Sequence, residues 1–131
     1  MTGGRLSGKT AIVTGSTKGI GFGIARAFVR EGAHVIVNSR SAEDCARVAR
    51  DLGSSAVPVA ADLSRSDEVR RLAKESLDAF GGTVDILVNN AGQPRVAPSE
   101  SLAEADYRYT LDLNLNGCFV LTQEIVQGML A

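Results

Sequence analysis

Few side chains suited to metal binding, redox or nucleophilic chemistry occur in these 131 residues: two cysteines, one histidine and two tyrosines. Cys45 and Cys118 form neither a C-x-x-C pair nor a cluster with metal-ligand spacing. They read as two buried thiols of a reduced compartment, and the sequence offers no metal site. His34 stands alone at the start of an apolar run and reads as structural. Neither sign of charge dominates, since 14 Lys and Arg against 15 Asp and Glu give a formal net charge of −1 with no block of like charge. That balance excludes a protein built mainly to bind nucleic acid and points to a small molecule or another protein as partner. No apolar run approaches the roughly 18 residues of a membrane span, and the opening MTGGRLSGKT has no apolar signal core. The expectation is one cytoplasmic globular domain over residues 1–131, consistent with 44% hydrophobic and 22% charged content.

Glycine, by contrast, is concentrated. The stretch VTGSTKGIGFGIARAF (13–28) places four glycines between an apolar run and a helix-like pattern. TAIVTG (10–15) and HVIVNS (34–39) are short β-branched runs that predict buried strands. Between them Ile20, Ile24, Ala27 and Phe28 recur at helical spacing and Gly32 closes the segment, completing a β-α-β unit. Ser41 then caps a predicted helix with Cys45, Val48, Ala49 and Leu52 on one face and Gly53 past its end. AVPVAA (56–61) predicts a third strand, placed at an edge by Pro58. Ser64 or Ser66 caps a helix that turns Val69, Leu72, Ala73, Leu77 and Phe80 inward and ends at Gly81 and Gly82. VDILVNN (84–90) is the fourth strand. After Pro94 and Pro98, a helix starts near Ser101, with Glu104 three residues on, and a long helical segment runs from about Leu113.

Strands alternating with helices predict an α/β fold: a Rossmann-type doubly wound parallel sheet covered on both faces. Such sheets bind ligands outside the carboxyl ends of their strands, and the glycine-rich stretch lies at one of those ends. Unpartnered amides and the positive end of a helix dipole attract a phosphate there. Glycine suits the place because a Cβ would block a tight turn and hold a pyrophosphate away from the backbone.

The glycine spacing is T-G-x-x-x-G-x-G, made by Thr14, Gly15, Gly19 and Gly21, with ADLS (61–64) after the third strand and NNAG (89–92) after the fourth. On these three motifs, from about residue 7 onward, the sequence resembles the amino-terminal, cofactor-binding half of the short-chain dehydrogenase/reductase family. The resemblance implies a nicotinamide dinucleotide held by Thr14, Gly15, Ser16, Lys18, Gly19, Ile20 and Gly21. It implies Asp62 on the adenine amino group with the Leu63 backbone beside it, and Asn89, Asn90, Ala91 and Gly92 along a ribose. It also makes Asn114, in LDLNLNG, the asparagine that holds a water in the family's proton relay.

The segment VNSRS (37–41) bears on which dinucleotide is bound. A free ribose 2′-hydroxyl is usually met at the end of the second strand by an acid, whereas a 2′-phosphate needs positive charge. Here Ser39 takes the acid's place, Arg40 follows, and Lys18 lies within reach from the glycine loop. Two charge-assisted contacts at about 1.5 kcal/mol each amount to roughly a hundredfold preference for NADP(H) over NAD(H).

Catalysis meets an absence. The family's Tyr-x-x-x-Lys pair exchanges a proton with the substrate oxygen as nicotinamide exchanges a hydride. Tyr107 and Tyr109 are followed four residues later by Leu111 and Leu113, and no lysine occurs after Lys74. Both tyrosines therefore read as amphipathic-helix residues. The resemblance further implies a fold truncated after its fourth strand and the helices that follow it, leaving strand 84–90 as an apolar edge, and a homo-oligomer. Three functions follow as expectations: part of an NADP(H)-dependent oxidoreductase acting on a small carbonyl or alcohol, inactive by itself; a dinucleotide-binding module without turnover; or a structural and interaction protein. QPRVAPSES (93–101) is the local candidate to touch a substrate.

Overall fold

Side chains alternate between the two faces of a strand, so short apolar strands can be buried on both sides at once. In the computed structural model, which describes residues 4–131, β1 (Thr10–Val13), β2 (His34–Val37), β3 (Ala56–Pro58) and β4 (Ile86–Val88) form one parallel sheet in the order β3-β2-β1-β4. Ile12 sits in register with Ile36 on one side and Leu87 on the other. The helices are α1 (Gly19–Arg30), α2 (Ala42–Leu52), α3 (Ser66–Ala79), α4 (Glu104–Leu111) and α5 (Gly117–Leu130), with a π-helical turn at Asp112–Asn116 joining the last two. One face of the sheet, carrying Ala11, Val13 and Val35, packs on Ile24, Ala25 and Phe28 of α1. Val48 and Ala49 of α2 cover Val37. The other face presents Ile12 and Ile36 to Leu72 of α3 and to Leu121 and Ile125 of α5. Each of these large side chains is almost fully buried, a contribution of about 1.5–3 kcal/mol apiece.

Local signals hold for α2 and β3. Ser41 Oγ accepts the Asp44 amide at 3.1 Å, and Gly53 ends the helix at φ +104°. β3 is an edge strand with Pro58 exposed. Four expectations need correction. The inward face of α1 is Gly21, Ile24, Ala25 and Phe28, whereas Ile20 is 79% exposed and Ala27 is exposed. Gly21 and Ala25, four residues apart, let the helix lie close to the sheet, which turns Ile20 and Ala27 roughly 100° off the contact face. Neither Ser64 nor Ser66 caps α3: Arg65 takes that position without a side-chain bond, and the Ser64 hydroxyl donates to Asp62 Oδ1 at 2.7 Å. Asp67 and Glu68 serve the helix dipole instead. Ser101 is likewise engaged, donating through its amide and hydroxyl to the Pro98 carbonyl, so α4 begins only at Glu104. Finally, Cys45 is buried but Cys118 only partly so, and partial burial pushes the Cys118 thiol up, away from the reactive thiolate.

β4 is shorter than VDILVNN, covering only Ile86–Val88; just before it the Asp85 carboxylate accepts the Thr10 amide at 2.9 Å while the Asp85 amide donates to the Thr10 carbonyl at 3.0 Å. Among the described residues β4 pairs only with β1, so the apolar edge is present, with Ile86, Leu87 and Val88 half-buried. His34 is exposed at the first position of β2. Among the described residues, no helix is long and apolar enough to cross a membrane.

The start of α5 is pinned by close approach to the loop after β3. A Cβ on Gly117 would stand 2.3 Å from the Leu63 carbonyl oxygen. Gly117→Ala is expected to lower the unfolding free energy by about 1–3 kcal/mol in urea titrations. Gly128→Ala in the same helix, where the nearest atom is 4.0 Å away, should stabilise by up to about 1 kcal/mol.

Candidate functional site

Beyond β1 the chain enters a loop tied to both neighbouring strands. Thr14 is buried, and its Oγ accepts the amides of Asn90 at 3.0 Å and Ala91 at 2.9 Å. Asn90 Nδ2 returns two bonds, to the carbonyls of Thr14 at 3.0 Å and Gly15 at 3.2 Å. On the other side, Ser16 Oγ accepts the Asn38 amide at 2.9 Å, and the Ser16 amide donates to the Asn38 carbonyl at 2.8 Å. Asn38 Nδ2 donates to the Val59 carbonyl at 3.0 Å, while its Oδ1 accepts the Gly15 amide at 3.3 Å. Among the described residues no buried side-chain polar atom is left unpaired. The loop is therefore built before any ligand arrives.

Within that frame the glycines have separate tasks. Gly15 and Gly19 adopt φ of +62° and +60°, in the left-handed region that a side chain disfavours. Gly21 is required by contact: a Cβ there would stand 2.2 Å from the Gly15 carbonyl oxygen and 2.5 Å from Asn90 Nδ2. No side chain caps α1, so its first-turn amides and positive dipole end face the space above the sheet beside Lys18. That combination suits an anion.

The space is an open cleft of about 500 Å³ at the carboxyl ends of the strands. It brings together Gly15, Lys18, Gly19, Ile20, Gly21, Ser39, Arg40, Leu63, Asn90, Ala91 and Gly92. Thr14 and Ser16 lie buried beneath it. Three other residues singled out in the sequence do not line it. Asp62 Oδ1 is occupied by the amide and hydroxyl of Ser64. Asn89 Nδ2 turns to Thr122 on α5 at 3.2 Å. Asn114, exposed in the π turn, donates to the Thr110 carbonyl at 2.9 Å, and its Oδ1 lies 2.6 Å from where a Gly92 Cβ would stand. It thus borders the cleft at Gly92.

Sequence reasoning missed Thr17, Asn38, Ser41, Asp44, Ala61 and Leu113 as residues that line the cleft, and offered Gln93, also in its wall, only as part of the loop that would touch a substrate. Asn38 carried a signal, being a polar residue directly after an apolar strand; the Asp44 carboxylate is paired with Arg47 at 3.3 Å. Tyr109 was missed as well. Arg40 reaches across the mouth, donating from Nη1 to Tyr109 Oη at 3.1 Å and from Nη2 to Gln93 Oε1 at 3.3 Å. The Arg95 guanidinium lies 4.0 Å from the Tyr109 ring centroid and donates to Asp106 Oδ1 at 2.9 Å. The Asp106 hydrogen bond holds Arg95 protonated still more firmly than usual. Tyr107 is 53% exposed and takes no part.

Residues 9–131 match the family described as short chain dehydrogenase. The chain belongs to this family of oxidoreductases. Sorbitol dehydrogenase from Cereibacter sphaeroides is 36% identical over 97% of this chain and 49% of its own length. A crystal structure of a metagenomic short-chain oxidoreductase in complex with NADP superposes with a TM-score of 0.88 at 35% identity, covering 95% of this chain and 57% of that one. The 3-ketoacyl-(acyl-carrier-protein) reductase from Brucella melitensis, complexed with NADH, gives 0.88 at 34% identity over 95% of this chain and 51% of its own. The chain spans about half the length of the curated relatives it matches. The Rossmann-type fold is thus that of the family's nicotinamide-binding half.

Thr14→Val would leave the Ala91 amide without its acceptor and the Asn90 amide with only the Val88 carbonyl, at 3.1 Å, an expected loss of about 1–3 kcal/mol in equilibrium denaturation. Thr14→Ser, which keeps the hydroxyl, should lose about 1 kcal/mol or less.

Proposed function

We propose that this chain holds NADP(H) in the cleft and forms the cofactor-holding part of an enzyme that moves hydride between nicotinamide and a small carbonyl or alcohol. The observation that carries the reading is that Lys18 and Arg40 line the same cleft, with Ser39 where a ribose-reading acid would stand. The cradle fits a pyrophosphate, because the space left by the absent Gly21 Cβ brings the backbone of α1 close to any ligand above Gly15. In this reading Gly19, Ile20 and Gly21 offer amides to the pyrophosphate, while Thr14 and Ser16 hold the loop from below. Asn38 and Leu63 wall the adenine, with Asp62 reaching it through the oxygen that Ser64 does not occupy. Asn89 steadies the end of β4 through Thr122 while Asn90, Ala91 and Gly92 follow the ribose, and Asn114 holds a relay water. One neighbour carries NADP and another NADH, so the preference rests on the charges here rather than on likeness.

When bound, the cofactor supplies hydride chemistry, and these residues bind and orient it. Among the described residues no tyrosine is paired with a lysine: Tyr107 is exposed and Tyr109 is engaged by Arg40. Turnover by the 131-residue chain is therefore not expected, which makes it a binding module when alone. A cytoplasmic homo-oligomer completes the reading; Leu115 and Phe119, 61% and 64% exposed along the last helical stretch, support the self-association alone.

Fluorescence titration with NADPH and NADH tests the proposal. NADPH should bind far more tightly, and Arg40→Ala should weaken NADPH about tenfold while leaving NADH unchanged. Equal affinities in the unaltered chain, or NADPH oxidation coupled to carbonyl reduction by the purified chain, would each sink the corresponding part.

A further inference from the structure

Tyr109 lies on α4, outside the glycine loop and outside the motifs that mark the cofactor site, yet its phenol oxygen is one of two acceptors holding Arg40 across the cleft mouth. Its own ring is constrained from two sides. The ring packs on the core beneath the sheet, and Arg95 covers its face at 4.0 Å. Arg95 is fixed in turn by Asp106 at 2.9 Å and, through its backbone amide, by Thr110 Oγ1 at 3.3 Å. An arginine on an exposed strand end ordinarily samples many rotamers, and that freedom is lost when it grips an anion. Here two neutral acceptors hold the guanidinium in one place, leaving its remaining N–H groups and its full charge for a ligand.

We infer that Tyr109 is a positioning residue for dinucleotide selectivity: with Gln93 it holds the Arg40 guanidinium ready at the cleft mouth, so that a 2′-phosphate meets a cation whose ordering cost has already been met. The inference rests on the NADP(H) reading of Arg40 and adds to it a residue that never touches the cofactor. Preorganisation of this kind strengthens binding of the phosphorylated dinucleotide and leaves the other unaffected. A purely structural role for Tyr109 would move both together.

The test is a double-mutant cycle on the full 131-residue chain, titrating NADPH and NADH by fluorescence into the unaltered protein, Tyr109→Phe, Arg40→Ala and the double variant. Tyr109→Phe keeps the ring under Arg95 and removes only the acceptor. It is expected to weaken NADPH about fivefold and leave NADH unchanged, with no further effect once Arg40 is alanine. Equal loss for both dinucleotides, no loss for NADPH, or an undiminished effect in the Arg40→Ala background would overturn the positioning role. Should Arg40→Ala itself leave NADPH unchanged, the phosphate reading fails and takes this inference with it. Binding of neither dinucleotide by the unaltered protein would remove the cofactor reading as a whole. If Tyr109→Phe does not fold, Gln93→Ala in the exposed loop tests the same hold on Arg40, with loss confined to NADPH expected and an equal or absent effect counting against it.

Discussion

The Gly15 carbonyl and the Asn90 side-chain amide occupy the space where a Cβ on residue 21 would be, and the cleft depends on that contact. It seats the first turn of α1 directly against the carboxyl end of β1, so the positive end of the helix dipole lies over the sheet. Ala25, one turn on and fully buried, continues the same close approach. A larger side chain at either place would lift the helix and carry its free amides away from any ligand. The hydrogen bonds through Thr14, Asn38 and Asn90 then prevent the loop from relaxing around the gap. Rigidity here is bought with paired polar groups rather than with apolar bulk.

The same arrangement separates two tasks. Groups lining the cleft come from the loop after β1 and the first turn of α1, the ends of β2 and β3, the segment after β4 and the π turn, with Asp44 added from α2. The π turn carries Leu113 into the cleft wall and Asn114 to its border, while Gly117, just past it, packs on the Leu63 carbonyl. One irregular helical stretch therefore joins the wall of the site to the core under the sheet. Among the described residues no tyrosine–lysine pair is brought to the cleft. Holding a dinucleotide and exchanging a proton with a substrate make different physical demands, the first on backbone shape and fixed charge, the second on a tuned acid or base.

Much of the architecture was legible because its causes are local. Ser41 and Gly53 bracket α2 through one side-chain bond and one left-handed backbone angle, both set within a few residues. Pro58 marks an edge because it lacks an amide to donate. The glycine-rich loop, ADLS and NNAG share this property, since each follows a strand whose position comes from the alternation of apolar runs. Where the reading failed, a competing long-range or neighbouring partner was responsible. Ser64 and Ser101 have the chemistry of helix caps, but each donates to a nearer acceptor, Asp62 or Pro98. Ile20 has helical spacing, but the face of α1 is chosen by the two small residues that fit the sheet.

The sequence alone determined the order of elements, the parallel sheet and the place of the glycine-rich loop, because periodicity, turn residues and backbone freedom are properties of short segments. Tertiary structure decided which side chains share the cleft. It set Asn38 beneath the loop, turned Asn89 toward α5, and joined Arg40 to Tyr109 across 69 positions of chain. Such contacts depend on how helices pack across a twisted sheet, where a rotation of one residue moves a side chain from the cleft to solvent. Spacing along the chain contains no record of that rotation.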